Sequence, residues 1–429
     1  MLHREVDLKE DQWKMCGIGA LIILGLFARD MMGISVNKFL FLLIALISIF
    51  FLETKNVAVF TCFLVPLYVG LPGNFISVFL LARLFYDAVK YKFHIEKTGF
   101  VLTLCVVAYI TVQDFLTGYT GIYHLMAAFD FILLAFSMSV IRQYRVGTQA
   151  VVAYAIGNFA LGAVMLSATL SYYSLQDLMN PATRLGYTGM LIGNTGANMA
   201  TSIDPNFYAM NTIACISTVS LLLPKFQSKM GKIAAVISMI GSTVCCLIGL
   251  SRTFIILLAV WAVLWFLSQG DIKKTVAVLA VMSLFVFAFL KFMPTIAQGF
   301  LNRFEGADVV GGNGRINLIL LYFKPWFETV LSILFGIGLF NCHTHCAPLM
   351  YLFGLGIVGT IPLFSWFAYQ WNRCAKCCRK VGFQKIVPLF LTLIGYSSIP
   401  AAGAINYTLP IMISMIALVS ENRMGESNE

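Results

Sequence analysis

The chain has 429 residues, of which 59% are hydrophobic and 11% are charged, and its formal net charge is +10. Because a soluble domain carries about 25% charged residues, this composition excludes a soluble globular fold. It indicates an all-α polytopic membrane protein that forms a single integral membrane domain over residues 1–429.

The apolar windows predict about fourteen transmembrane helices, with twelve as the lower count. A span needs about 20 mainly apolar residues. The predicted centres lie near residues 22, 46, 63, 82, 106, 131, 158, 215, 241, 260, 283, 357, 394 and 413. The charged segment that ends at Trp13 predicts an uncleaved anchor in the first span. Two long loops, 170–206 and 291–345, are predicted on one face, and the second contains a predicted amphipathic helix, Ile316–Leu331.

Lys and Arg residues cluster in alternate loops, and this pattern sets the predicted orientation. The positive-inside rule predicts that both termini are cytoplasmic and that the two long loops are extracytoplasmic. The net positive charge then reflects topology and attraction to anionic lipid. It is poor evidence for nucleic-acid binding.

Two ionisable residues, Arg83 and Asp130, fall within predicted spans. Both are about 12 to 15 Å from the outer ends of their spans at the helical rise, so they are predicted to form a structural ion pair. Asp87 lies one helical turn from Arg83 and is placed to share its charge. A proton relay in a transporter is the competing interpretation.

The eleven cysteines do not form a secreted disulfide framework, because most lie in or near spans, where Cys is a small apolar residue. Cys342 and Cys346 leave two alternatives open: a strained disulfide, or a metal site that includes His343 and His345 between them. Four ligands within five consecutive residues can hardly reach one tetrahedral centre. The pair Cys374–Cys377 supplies only two ligands. We therefore expect no metal.

Polar motifs in the C-terminal half carry the candidate chemistry. Glycines let the backbone approach an anion closely, and Arg binds phosphate through a planar fork. Taken singly, each motif also fits an arginine that snorkels to an interface, an ordinary turn or an interfacial histidine. In chain order the motifs are Ser251-Arg252-Thr253, Gly311-Gly312-Asn313-Gly314-Arg315, Gly336-Ile337-Gly338, Cys342-His343-Thr344-His345-Cys346, and Gly356 with Gly359.

The fixed order of these motifs resembles the O-antigen polymerase and ligase superfamily, the bacterial Wzy and WaaL proteins. The resemblance covers about residues 200–365 and also rests on these residues: Asp204-Pro205-Asn206, Arg303-Phe304, Leu349, and Gly356-Ile357-Val358-Gly359. The N-terminal half matches only in hydropathy and in the turn Leu71-Pro72-Gly73-Asn74. Cys346 departs from the family, whose members usually have Asn after the histidine.

The resemblance implies a GT-C-like glycosyltransferase architecture and a metal-independent, inverting transfer without a cofactor. The reaction would occur at the outer face of the bacterial inner membrane. The implied donor is an oligosaccharide linked to undecaprenyl diphosphate. The acceptor is the next lipid-linked repeat unit in the polymerases and the lipid A core in the ligases. We favour the polymerase, partly because the chain has no large periplasmic domain. Membrane lipid, a chain-length regulator and a flippase are the implied partners.

The resemblance also implies roles for individual residues. His345 is the expected general base, since an unperturbed imidazole titrates at about 6.5. The neighbouring His343 is the alternative base, and the spacing to Gly356 favours His345. Arg252 and Arg315, with Arg303, are expected to bind the diphosphate. Gly314 and His343 are expected to contact the substrate.

The first long loop contains Arg184, together with tyrosine and asparagine residues that suit sugar recognition. The residue types predict substrate binding there, and an ordinary solvated loop is the alternative.

Two other classes of protein compete with the enzyme. A secondary transporter or lipid-linked oligosaccharide flippase would have inverted repeats and broken helices near the middle of the membrane, and the sequence contains no convincing internal repeat. A non-catalytic partner in a glycan-export complex would tolerate changes at the Arg and His residues.

Overall fold

The computed structural model describes residues 2–93, 95–117, 122–178, 205–249, 251–267, 315–344 and 346–378, together with isolated positions between 273 and 302. All regular structure in these residues is helical. The α-helices in chain order are α1 Leu2–Asp30, α2 Lys38–Phe51, α3 Thr54–Leu64, α4 Gly73–Tyr91, α5 Lys97–Leu116, α6 Ile122–Tyr144, α7 Gly147–Leu170, α8 Leu175–Leu178, α9 Pro205–Leu222, α10 Lys229–Ile248, α11 Arg252–Leu267, α12 Arg315–Phe327, α13 Val330–Phe335 and α14 Ala347–Cys378.

Five of the described helices are long and apolar enough to cross a membrane: α5, α7, α9 with the turn that follows it, α10 and the first part of α14. Helices α2 and α11 are apolar but shorter. The finding supports a helical membrane protein, and it does not confirm the count of fourteen spans. Every predicted centre that falls on a described residue lies in a helix. The centres near 394 and 413 and most of the first loop lie outside the described residues.

Helix α7 is the centre of the bundle and packs against α3, α9 and α10. Close approach depends on glycine: a Cβ on Gly157 would lie 2.1 Å from the carbonyl oxygen of Phe63 in α3. Small residues at helix contacts are typical of membrane bundles, where backbone proximity and dispersion replace the hydrophobic effect between helices.

Buried polar side chains also join α7 to α9. The Tyr154 hydroxyl donates to the Asn211 carbonyl at 3.1 Å, and the Asn158 amide donates to the Thr212 hydroxyl at 3.2 Å. The Tyr208 hydroxyl in turn donates to the Asn158 carbonyl at 3.2 Å. Interhelical hydrogen bonds of this kind fix the rotation of each helix about its axis.

Arg83 is paired within its own helix. Its Nε donates to Asp87 Oδ2 at 2.8 Å, and the Thr54 hydroxyl donates to the same carboxylate oxygen at 2.8 Å. The guanidinium also donates to the carbonyls of Ile49 and Leu52, at the C-terminal end of α2, where helix carbonyls lack intrahelical partners.

The Asp87 carboxylate therefore shares the Arg83 charge, as the sequence suggested. The side chain of Asp130 lies outside the described residues, and an Arg83–Asp130 pair stays a prediction.

The predicted helix Ile316–Leu331 is two helices in the structure, α12 and α13. Pro325 has no N–H to donate to the preceding turn, and α12 ends two residues later. Thr329 then begins α13 with a capping box, in which the Ser332 N–H donates to the Thr329 hydroxyl at 3.0 Å. The prediction of one continuous helix was wrong because a local cap competes with helix continuation.

We expect Gly157→Ala to destabilise the bundle by about 1–3 kcal/mol, the usual range for overpacking. The added methyl group meets a backbone carbonyl, which cannot rotate away as a side chain can. Thermal unfolding in detergent measures the effect. Gly17→Ala is the matched control, because it lies in helix α1 with nothing within 4 Å of its added Cβ. Equal stability of the two variants would contradict the assigned packing of α3 on α7.

Candidate functional site

Helix α14 is broken at Gly356, inside the segment that is apolar and long enough to be a span. The backbone there has φ 67° and ψ −177°, a conformation essentially confined to glycine. The chain that precedes the helix folds back onto this break. The Ile337 N–H donates to the Phe353 carbonyl at 2.9 Å, and the Gly338 N–H donates to the Gly354 carbonyl at 3.1 Å. Part of the second predicted loop thus pairs with the interior of a span.

Glycine is required on both sides of this contact. A Cβ on Gly336 would lie 2.1 Å from the Gly354 carbonyl oxygen, and a Cβ on Gly356 would lie 2.3 Å from the Gly336 nitrogen. Gly336 and Gly338 also have φ angles of 82° and 96°, which favour glycine. Because backbone meets backbone, no side chain can move aside. The Gly-x-Gly motif and Gly356 therefore belong to one structural feature.

Helix α5 provides side-chain donors to the same break. The Tyr109 hydroxyl lies 2.7 Å from the Leu355 carbonyl oxygen and 3.0 Å from that of Phe335. The Gln113 amide donates to the carbonyls of Phe335 and Gly354 at 2.5 and 2.6 Å. Non-helical backbone at membrane depth is tolerated only where such partners satisfy it. We call Tyr109, Gln113, residues 335–338 and residues 353–356 the helix-break junction.

The histidine-containing segment follows directly from the helix-break junction. After a 3₁₀ turn over Leu339–Asn341, Cys342 and Thr344 are buried while His343 between them is exposed. The Thr344 hydroxyl donates to the Cys346 carbonyl at 3.0 Å. This alternation turns the His343 side chain outward.

Cys342 and Cys346 are both free thiols. Burial raises the pKa of the Cys342 thiol to about 11. The thiolate, not the thiol, is the nucleophile and the metal ligand. Cys342 therefore fits a packed apolar residue better than a nucleophile.

Arg252 is the first residue of α11, and its position is set by Ser251. The Ser251 hydroxyl accepts from the Phe254 N–H at 3.3 Å, which caps the helix, and donates to the Asn206 side-chain oxygen at 3.0 Å. Asn206 lies in the first turn of α9. The structure therefore joins two motifs, Ser-Arg-Thr and Asp-Pro-Asn, that lie 45 residues apart in the chain.

Arg315 is the first residue of α12 and is partly buried. The main contacts of α12 are with α13 and α14, whereas α11 packs against α9 and α10. Arg252 and Arg315 thus stand in two groups of helices. His345, Arg303, Gly314 and Arg184 lie outside the described part of the chain. The convergence of the arginines with His345 stays a prediction.

The contribution of helix α5 to the helix-break junction, through Tyr109 and Gln113, was not predicted from the sequence. Tyr109, Gln113 and Thr117 recur at intervals of four residues on one face of an otherwise apolar span, and this periodicity was the available signal. Asp114, next to Gln113, is only 6% exposed. One of its carboxylate oxygens has no hydrogen-bond partner in the part of the chain that the structure describes.

A scan of known protein families finds no model that matches the chain, and a search of curated proteins finds no match.

Gly356→Ala is expected to disrupt the helix-break junction. The new Cβ would meet the Gly336 nitrogen at 2.3 Å as well as an unfavourable φ, so we expect a loss of more than about 3 kcal/mol, at the upper end of strain and overpacking effects. Thermal unfolding in detergent measures this loss.

Gly33→Ala is the matched control for Gly356→Ala. Gly33 also has a positive φ, 66°, but nothing lies within 4 Å of its added Cβ. It isolates the conformational penalty, about 1–2 kcal/mol. If Gly356→Ala costs no more than Gly33→Ala, residues 336–338 do not pack against the break.

Proposed function

We propose that this protein is a glycosyltransferase that polymerises undecaprenyl-diphosphate-linked oligosaccharide repeat units into O-antigen or capsular polysaccharide. It acts at the outer face of the bacterial inner membrane, with both termini in the cytoplasm. The reaction is inverting and needs neither a metal nor a cofactor. The proposal rests on the ordered motifs of residues 200–365 and on the local structure around two of their arginines.

The observation that carries the proposal is that Arg252 and Arg315 each begin a helix. The N-terminus of a helix carries about half a positive elementary charge, so a cation there is unfavourable by about 0.3–1 kcal/mol. An anion in the same place is favourable, because free N–H groups and the dipole both attract it. Two arginines at helix N-termini therefore suit a ligand with several negative charges, and a diphosphate is such a ligand.

The proposed reaction needs a general base, an attack on the donor sugar and stabilisation of the leaving diphosphate. His345 removes the proton from a hydroxyl of the acceptor sugar, and that oxygen attacks the anomeric carbon of the donor. The bond from the anomeric carbon to the diphosphate oxygen breaks, and the electron pair leaves with undecaprenyl diphosphate. Arg252, Arg315 and Arg303 stabilise the charge that develops on the leaving group. Attack from the opposite face inverts the anomeric centre.

The helix-break junction gives the histidine segment a rigid support. The histidine segment follows Ile337 and Gly338, which pair with residues 353–354, and it precedes Ala347, where α14 begins. General bases act within hydrogen-bond distance of the proton they remove, so a fixed backbone on both sides suits this role. His343 is exposed beside this position and is the proposed substrate contact.

A reconstituted assay tests the proposal. The purified protein is placed in liposomes with the lipid-linked repeat unit and no added nucleotide or metal. We expect chain growth from the wild type. His345→Ala and Arg315→Ala should each lower the rate about 10²–10³-fold, as loss of one transition-state contact does.

Lys324→Ala is the matched control for Arg315→Ala, because Lys324 is an exposed cation on the same helix. We expect its rate to equal that of the wild type. Chain growth at the wild-type rate in Arg315→Ala removes that residue from the mechanism. Transfer that occurs only after lipid A core is added identifies the ligase reaction instead.

One observation favours a second candidate, a transporter of lipid-linked oligosaccharide. Transporters use discontinuous helices and buried ionisable residues within their spans, and this chain has the break at Gly356 and the buried carboxylate of Asp114 near the end of α5. In the same liposomes, translocation without chain growth, abolished by Asp114→Asn, identifies the transporter.

A further inference from the structure

Helix α12 has three different faces. Ile319 and Tyr322 are partly buried and Trp326 is buried, so these residues form the face that packs against the protein. A second face is exposed and carries the polar residues Asn317 and Lys324, with Glu328 just after the helix end, and Leu321 on the same side is 60% exposed. Neither face is unusual for a helix on the surface of a protein.

The third face is exposed and apolar. Ile316, Leu320, Phe323 and Phe327 recur at i, i+4, i+7 and i+11, which places them in one stripe along the helix. Leu320 is 58% exposed and Phe327 is 61% exposed. We call these four residues the apolar stripe. Large exposed apolar groups in a continuous row mark a surface with an apolar partner.

The contacts of α12 set its level relative to the spans. The Trp326 and Phe353 rings lie 5.2 Å apart between centroids. Phe353 is six residues into the candidate span that begins at Ala347, or about 9 Å along its axis. An interfacial helix buries its apolar face about 5–10 Å into the boundary of headgroups and acyl chains. The depth of Phe353 along the candidate span, about 9 Å, falls within the depth range expected for an interfacial helix.

Residues 336–338 lie at a similar level. Ile337 and Gly338 pair with residues 353–354, and Gln113 donates to the adjacent carbonyl of Phe335. Gln113 is three residues from the end of α5, or about 5 Å along its axis. Residues 335–338, which follow α12 and α13, therefore lie beside the candidate spans α5 and α14.

We propose that α12 is an interfacial helix whose apolar stripe is embedded in the acyl chains of the leaflet next to Leu116 and Ala347. The bilayer is its partner. Asn317, Lys324 and Glu328 face water, and Trp326 anchors the helix to α14. The proposal holds for either orientation of the protein in the membrane and does not depend on the proposed enzymatic function.

Photocrosslinking to lipid tests this proposal. Benzoylphenylalanine is introduced by stop-codon suppression at Leu320, Phe327, Asn317 or Glu328 of the full-length protein. The variants are reconstituted with radiolabelled phosphatidylethanolamine and phosphatidylglycerol and then irradiated. Ile237, which is exposed on candidate span α10, is the reference for lipid contact. All five positions are exposed in the structure, so a bulky side chain should not prevent folding.

We expect Leu320 and Phe327 to label lipid as strongly as Ile237 does, and Asn317 and Glu328 to label it several-fold less. Equal lipid labelling at the four positions of α12 would overturn the proposal, because it would show that no face is selected. Crosslinks from Leu320 or Phe327 to protein instead of lipid would also overturn it, since the stripe would then be covered by another part of the chain or by a second copy.

Discussion

The described structure depends on one constraint, which is the need to satisfy backbone polar groups where helix α14 is interrupted. A hydrocarbon environment offers no water to these groups, so each free carbonyl would cost several kcal/mol. Here the carbonyls of Phe353, Gly354 and Leu355 are bonded by two backbone N–H groups, by Gln113 and by Tyr109. The break is therefore a stable structural element, and it joins α5, α14 and the segment before the histidines.

This constraint also explains the glycine spacing that the sequence contains. Gly336 and Gly356 are 20 positions apart and belong to separate motifs in the sequence. A Cβ at either position would nevertheless clash with the backbone of the other segment. Gly359 has a different cause, since a Cβ there would lie 2.0 Å from the Tyr109 ring that reaches the break. One backbone contact and one aromatic side chain therefore account for Gly336, Gly356 and Gly359, whereas Gly338 is favoured by its positive φ.

The part of the fold that depends on local pattern could be predicted from the sequence. Hydropathy located each of the five described candidate spans, and the amphipathic pattern from Ile316 placed the helical segment that contains α12. The tertiary contacts could not be predicted. Gln113 binds carbonyls that are 222 and 241 residues away, and nothing in the local sequence specifies such a partner. The same holds for Arg83: its pairing with Asp87 follows from helical spacing, but its bonds to the end of α2 do not.

The proposed membrane position of α12 also affects the electrostatic environment of Arg315. In the proposed interfacial position of α12, its first residue, Arg315, would lie at the level of the lipid phosphates. The guanidinium there adds to the positive end of the helix dipole, in a region of lower dielectric constant than bulk water, where charge interactions are stronger. A soluble phosphate ester would have to leave water to reach such a site, at a cost in desolvation. A diphosphate attached to a membrane lipid already resides there, so the proposed depth of α12, if photocrosslinking bears it out, would favour a lipid-linked ligand over a soluble one.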